Sequence, residues 1–531
     1  MRRSLAALAS AAVLAAGAVP AATASTTATA TTATSPAAAS PIPEGPGRGW
    51  VPAYVGGPAT PRALAGRPVP ANPYLGPVGT SSMHADSYAS DTYPFGGPLG
   101  RNPRVQNEAK GGGLLPGLCS TETFARKSGL MVAQCTRGQD FMLRLIDPKT
   151  LKDLATYELP PRPSTVQAVF SGSLDKVFTD TSGGAYLYLD PQDRVVLADS
   201  AFHVRRFSHG KGADGAWRFT VTDDWDLSGT LPHDCATWTN PWPKGECDPI
   251  TAVGPDWGGL IWWVTRNGRL GTLDPETGTV RSTRLPNEAI QNSFAAAENG
   301  VSIVSDHALY QMRARTDGTP EVVWRQPYDR GSGRKPGQID QGSGTTPTFF
   351  GDGYVAITDN ADDRMNVIVR RRADGSLVCR IPVFGSGASA TDNSLIGYGR
   401  SLFVENNYGY RNFFELPPGG SSVGGVSRID VEPGGKGCRT VWTSPERSPS
   451  TVAKVSVASG LLYLYTKEPR KDLIDAWYLT AVDVHTGRTA YKVLTGTGKW
   501  FDNNWAPITL GPDGTAYVGV IGGLVAVRDR G

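Results

Sequence analysis

The chain has 531 residues, and its 52 Lys and Arg against 49 Asp and Glu leave a formal net charge of +3. So balanced a charge offers no basic stripe for nucleic acid and no basic amphipathic helix for a membrane surface. With 64 Gly and 41 Pro and hardly any apolar spacing of helical period, the chain reads as all-β.

Arg2 and Arg3, the apolar run from Leu5 to about Val19 and the small residues of Ala22-Thr23-Ala24 predict a signal peptide over 1–24, hence a protein secreted to the extracellular space. No later run reaches the ~20 apolar residues of a membrane span, and no cysteine follows the apolar run to carry a lipid anchor. Residues 25–100 are expected to form a leader. To about residue 48 it is Ser, Thr, Ala and Pro, a composition that cannot offset chain entropy, and the Pro- and Gly-rich remainder is expected on the surface of the domain that follows.

Residues 101–531 carry the fold. A strand ending in Asp, a tight turn and a second strand recur as LRLIDPKTLKDLATYEL (143–159), YLYLDPQDRVVLA (186–198) and LGTLDPETGTVRSTRL (270–285), and again around Asp317, Asp374, Asp430, Asp483 and Asp529. Asp accepts backbone N–H bonds across such a turn, and Gly supplies the positive φ. From Asp147 through Asp190 and Asp274 onward the spacings are 43, 84, 43, 57, 56, 53 and 46, the period of a propeller with four strands per blade. The eight markers predict an eight-bladed β-propeller, with seven blades as the alternative if the final unit merges with the first. The long interval is assigned to one blade carrying an insertion over about 205–255, and a strand from 101–118 is expected to complete the last blade and close the ring. In an exported chain the six cysteines read as disulfides; their spacing suggests Cys119 with Cys135, Cys235 with Cys247 and Cys379 with Cys438.

The stretch AVDVHTGRTAYKVLTG (481–496) resembles the tryptophan-docking repeat of the pyrroloquinoline-quinone (PQQ) propellers, with Tyr491 where that repeat has Trp, and LDPETG (273–278) is similar to its core. The resemblance implies a fold shared by quinone-dependent dehydrogenases and by cofactor-free scaffolds. The adjacent cysteine pair common in those dehydrogenases is missing, which argues against PQQ; the Asp, Glu and Asn supply leaves calcium open.

Six segments are expected to run along the channel: STVQAVF (164), IQNSFAAA (290), GTTPTFF (344), ATDNSLIG (390), TVAKVSV (451) and NNWAPITLG (503). They set Gln167, Asn292, Thr346, Asn393, Lys454 and Asn504 at one mouth. The turns after the second strands add Asp180, Asp306 with His307, Asp359 with Asn360, and, in FVENNYGYRN, Glu405 with Asn406 and Asn407. Asp359, Asn360, Asp392, Asn393, Glu405, Asn406 and Asn504 are expected to line one pocket, with Asn407, Tyr408 and Lys454 as further ligand-binding residues. Such groups satisfy a polar small molecule or glycan, or a calcium ion. Asp359, Glu405 and His307 are the acid/base candidates. The plainer alternative is that these residues form turns and tie one blade to the next. Trp217, Trp225, Trp238, Trp242 and Trp257, beside Asp223, Asp224 and Asp226, either stack on sugar rings or build the small core of a disulfide-closed loop.

Two classes of function follow: an extracellular hydrolase or lyase acting on a carbohydrate or other polar molecule, or a non-catalytic propeller that binds a ligand or partner. A quinone-dependent dehydrogenase is a weaker third. No GxSxG elbow supports a serine nucleophile. Oligomeric state is left open.

Overall fold

The computed structural model describes residues 50–108, 117–138, 140–172 and 180–530, with 42 and 177, all within the unit Pro36–Gly531. The expected signal peptide and the first part of the expected leader lie outside the described residues.

Strands pair in chain order as four-stranded antiparallel sheets at 188–226, 250–284, 295–327, 348–382 and 396–444. The 454–497 strands form the same meander, flanked by Tyr54–Gly56 on the outside and Thr92–Tyr93 on the inside. The 117–159 and 508–528 strands share one sheet through a short parallel contact of Gly522 and Gly523 with Gly117 and Leu118. Arg104–Asn107 pairs antiparallel with Gly522–Arg528.

The turn chemistry is local. The Asp147, Asp274, Asp317, Asp374 and Asp483 carboxylates each accept the backbone N–H two residues on, at 2.8–3.0 Å, between the third and fourth strands of their sheets. Asp190 makes the same bond, to Gln192 at 2.9 Å, but between the first and second strands of its sheet. It is therefore out of phase with the other markers. The turn equivalent to theirs is at Asp214, which accepts the Ala216 N–H at 3.1 Å between His203–Lys211 and Trp217–Asp226. The expected insertion over 205–255 shrinks accordingly to 227–249, because its first part is paired sheet. STVQAVF, expected as a channel strand, is helical within Pro163–Ser171; Pro at its first position suits a helix start.

Apolar faces of consecutive sheets pack on one another. Trp263 and Leu273 join Val196 and Val204 in one cluster, while Trp262 and Leu270 join Val301 and Met312 in the next. Val518 and Val527 join Tyr463 and Leu479, and Tyr517 and Leu524 join Met131 and Ala133. A joint recurs at the outer strands. Trp324 lies over Gly375 and donates its Nε1–H to the Arg372 carbonyl at 2.9 Å; Trp442 lies over Gly487 and donates to the Val484 carbonyl at 2.9 Å. Both glycines have positive φ, +72° and +71°, and a Cβ at either would strike the indole. Tyr491 covers Gly100 in the same manner.

The largest departure from the sequence reading concerns the stretch before residue 100. Far from lying on the surface, residues 79–93 are largely buried. The carbonyls of Thr80, Ser81, Ser87, Tyr88, Ser90, Asp91 and Tyr93 accept backbone N–H bonds from Phe124, Leu189, Ala296, Phe349, Gly397, Val455 and Val457. These donors belong to the innermost strands of sheet after sheet, so the segment serves as their shared edge partner.

The three disulfides are Cys119–Cys135, Cys235–Cys247 and Cys379–Cys438. The first closes a cross-strand pair, the second closes the 227–249 loop, and the third ties the outer strand Leu377–Pro382 to that of the next sheet, Cys438–Ser444. No helix among the described residues is long and apolar enough to cross a membrane. The disulfides are compatible with an extracellular protein.

Candidate functional site

Residues that lead into the innermost strands surround a cavity of about 130 Å³. Asn292, Thr346, Asp392, Asn393, Asn504 and Trp505 line it, with Asp180 and Tyr186 from the approach to Tyr188–Leu189 and with Arg162 from the start of the helix. Met83 and His84 of the buried N-terminal segment contribute the floor.

That floor is a closed polar network. Lys454, expected to bind ligand, is fully buried; its ammonium donates to the Met83 carbonyl at 2.7 Å and pairs with Asp91. His84 Nδ1 lies 3.1 Å from Asp91 Oδ1 and its Nε2 3.2 Å from Thr346 Oγ1. Burial alone would raise the Asp91 pKa, but the Lys454 ammonium, followed by His84, outweighs it and holds the carboxyl below its usual range.

Asp392 lacks such a cation. Burial pushes its carboxyl up to about 8, against the lowering effect of the Ile339 N–H. At neutral pH it is then a carboxylic acid; the nearby Gln291 side chain also lowers it, but no group among the described residues lies within hydrogen-bond distance of its other oxygen, Oδ1. Asn393 Nδ2 donates to Glu405 Oε2 at 2.9 Å and to the Thr451 carbonyl at 2.7 Å, leaving its own Oδ1 without a partner. Asn504 and Trp505 both have positive φ, +44° and +71°; two successive non-glycine residues there store strain of about 1 kcal/mol or more each. The turn is held by Asp502 Oδ1, which accepts the Asn504 N–H at 2.9 Å and the Tyr410 hydroxyl at 2.7 Å.

Of the seven residues expected to share one pocket, Asp392, Asn393 and Asn504 line this cavity. Asp359, Asn360, Glu405 and Asn406 do not. Asp359 Oδ1 accepts the Asn366 N–H at 2.6 Å and its Oδ2 accepts Asn366 Nδ2 at 2.8 Å, closing its own turn. Asn360 Nδ2 reaches the Arg330 and Gly333 carbonyls. Asn406 ties the Ala388 and Gly424 carbonyls, and Asn407 accepts from Thr391 and donates to the Ser448 carbonyl. Tyr408 is half-buried outside the cavity. His307 sits between Asp306 and Arg330: a guanidinium can only donate, so Nε2, 2.8 Å from Arg330, is the acceptor and Nδ1–H faces Asp306 at 2.8 Å. Both its nitrogens are thus engaged. These residues bind strand to strand and loop to loop.

Glu405 is the clearest case. It is buried, receives Asn393 Nδ2 and the Ala453 N–H, and burial raises its pKa to about 7 against the lowering effect of Ser448 and Asn393. A carboxyl whose folded pKa exceeds its unfolded value near 4.3 favours folding fully below that value and loses the contribution as pH rises toward the folded pKa. Glu405→Gln should therefore flatten the pH dependence: relative to the parent it gains about 1–3 kcal/mol between about pH 4.5 and 8. Urea melts across that range check it; a constant difference between the two proteins would refute the assignment.

Among the described residues no group of three or more His, Cys, Asp or Glu side chains converges as a metal site. Sequence reading missed His84, Arg162, Tyr186 and Trp505. The signal for the first was present: SSMHADSYASDTY (81–93) is richer in acids and aromatics than a linker requires.

Successive four-stranded antiparallel sheets packed about a buried central segment, with a polar cavity where the innermost strands begin, define a β-propeller. No protein-family model matches the chain. An uncharacterized protein of Archaeoglobus fulgidus is 26% identical over 314 residues, which are 52% of this chain and 60% of that relative; the chain thus spans less than two thirds of its length. Among solved structures, BamB of Moraxella catarrhalis is 14% identical with a TM-score of 0.37, covering 63% of this chain and 93% of its own. A catalytically inactive virginiamycin B lyase from Staphylococcus aureus, solved with quinupristin, is 10% identical with a TM-score of 0.39, covering 80% and 99%. The computationally designed Ika8 protein is 13% identical with a TM-score of 0.40, covering 79% and 98%.

Proposed function

We propose that the protein is a secreted, closed, eight-bladed β-propeller that binds a small polar molecule in the cavity at its channel mouth. The blade count rests on seven runs of four strands plus the 508–528 run, whose fourth strand is Arg104–Asn107. Closure is supported by the apolar cluster that joins the 508–528 strands to the 117–159 strands. Secretion is supported by the three disulfides and by the apolar N-terminal run.

The observation that carries the binding reading is the cavity itself, lined by polar side chains of which Asp392 and Asn393 keep an oxygen without a partner. Binding is favoured over hydrolysis or lyase chemistry because Asp359, Glu405 and His307 all lie outside it. At about 130 Å³ it is below the ~300–1,000 Å³ of drug-sized sites, which points to a ligand the size of a monosaccharide or smaller. A thermal-shift panel of sugars, sugar acids, amino acids and hydroxy acids tests this. At a hundredfold excess over Kd a true ligand adds about 2.7 kcal/mol of stability, and Thr346→Val or Trp505→Ala should abolish that gain. A ligand whose effect survives both substitutions binds elsewhere and refutes the assignment.

A further inference from the structure

Arg162 is fixed but unsatisfied. It precedes Pro163 in extended geometry, φ −66° and ψ 141°, as a residue before proline must. Its Nε donates to the Ser182 carbonyl at 2.6 Å, and its guanidinium carbon lies 4.8 Å from the centroid of the Phe141 ring. The residue is only 9% exposed. Of the five N–H donors of a guanidinium, the four on the two amino groups have no hydrogen-bond or salt-bridge partner among the described residues. With Arg162 in the cavity lining, the planar fork is the group suited to two-pronged recognition of an oxyanion.

Asp180 lies nearby but does not take these donors. Its charge acts on Arg162, but its oxygens are engaged, Oδ1 by the Ser182 N–H at 2.9 Å and hydroxyl at 2.6 Å and Oδ2 by the Ser164 hydroxyl at 2.5 Å. The cavity thus offers the Arg162 cation with Asp180 beside it.

We propose that Arg162 anchors the ligand, and that the ligand is a small hydroxylated carboxylic acid whose carboxylate lies against the two free amino groups of this guanidinium. The proposal rests on the cavity being the binding site. A carboxylate brings one negative charge and matches the fork with two oxygens; a phosphate dianion would bring two charges beside Asp180. Asn393 Oδ1 requires a donor, and the Asp392 Oδ1 hydroxyl requires an acceptor; ligand hydroxyl groups supply both. Trp505, half-buried in the lining, adds a ring face for the carbon skeleton.

The test uses the full chain and matched probes: glucuronate against glucose, galacturonate against galactose, glycerate against glycerol, with inorganic phosphate as control. Calorimetric titration should show the acid of at least one pair binding about 10-fold or more tighter than its neutral counterpart. Arg162→Gln should remove that preference, bringing the acid's affinity to that of its neutral counterpart measured on the same variant, and Arg162→Lys, which keeps the charge without the fork, should lose part of it. The acid-to-neutral comparison on the parent protein needs no variant to fold. Neutral compounds that bind as well as acids overturn the anchoring role and leave the cavity reading standing. Phosphate displacing every acid overturns the carboxylate class. Binding of no probe overturns both.

Discussion

Removal of residues 50–95 will leave a chain that does not fold. The segment looks dispensable by composition, yet it accepts the seven backbone N–H bonds of Phe124, Leu189, Ala296, Phe349, Gly397, Val455 and Val457. With the segment gone, these donors lose their protein acceptors; at a net of about 1 kcal/mol each the losses approach the whole stability of a domain, about 5–15 kcal/mol. Ala85 and Tyr93, at 0% and 1% exposure, also leave the core around Leu461 and Val525. The check is soluble expression, followed by circular dichroism and a thermal melt of the truncated chain. A cooperative transition near that of the parent would show that the sheets hold one another without a centre.

The second large effect belongs to one ion pair. Lys454 and Asp91 are both at 0% side-chain exposure, and removing one partner of such a pair strands the other charge at a cost of about 3–5 kcal/mol. Lys454→Met should lose that much in urea unfolding, and adding Asp91→Asn should restore part of it, since the double variant buries no charge. The direction with pH follows from the lowered Asp91 pKa: its contribution is present above the unfolded value near 3.9 and is lost as pH falls further. Lys454→Met should thus hurt less in acid than at neutral pH. A loss below about 1 kcal/mol, or one independent of pH, contradicts the assignment.

What the sequence made legible is what short-range chemistry determines. Asp at a turn binds the N–H two residues on whatever surrounds it, so strand after strand could be placed from Asp274, Asp317 or Asp374. The same local character explains the error at Asp190, because the motif serves the first turn of a sheet as readily as the third. STVQAVF alternates well enough for a strand and begins well enough for a helix, and only its surroundings decide. The residues of FVENNYGYRN were expected at a ligand pocket, but Glu405 and its amides spend their bonds on neighbouring strands and loops. The cavity takes His84 and Arg162 instead, from sequence positions far from the strands they meet. No periodicity announces such long-range convergence.

The joining of Arg104–Asn107 to Gly522–Arg528 bears on how the molecule assembles in time. Early residues must wait for the last ones: the 508–528 sheet has no outer strand until the chain is complete, and the Tyr463 hydroxyl reaches back 365 positions to the Pro98 carbonyl. Contacts of such long range demand extensive loop closure before they reward it, which places folding at the slow end of the scale. The same dependence works in reverse in the folded protein, because the Arg104–Asn107 pairing cannot open without separating segments from far apart in the sequence, and escape from the native state is correspondingly slow.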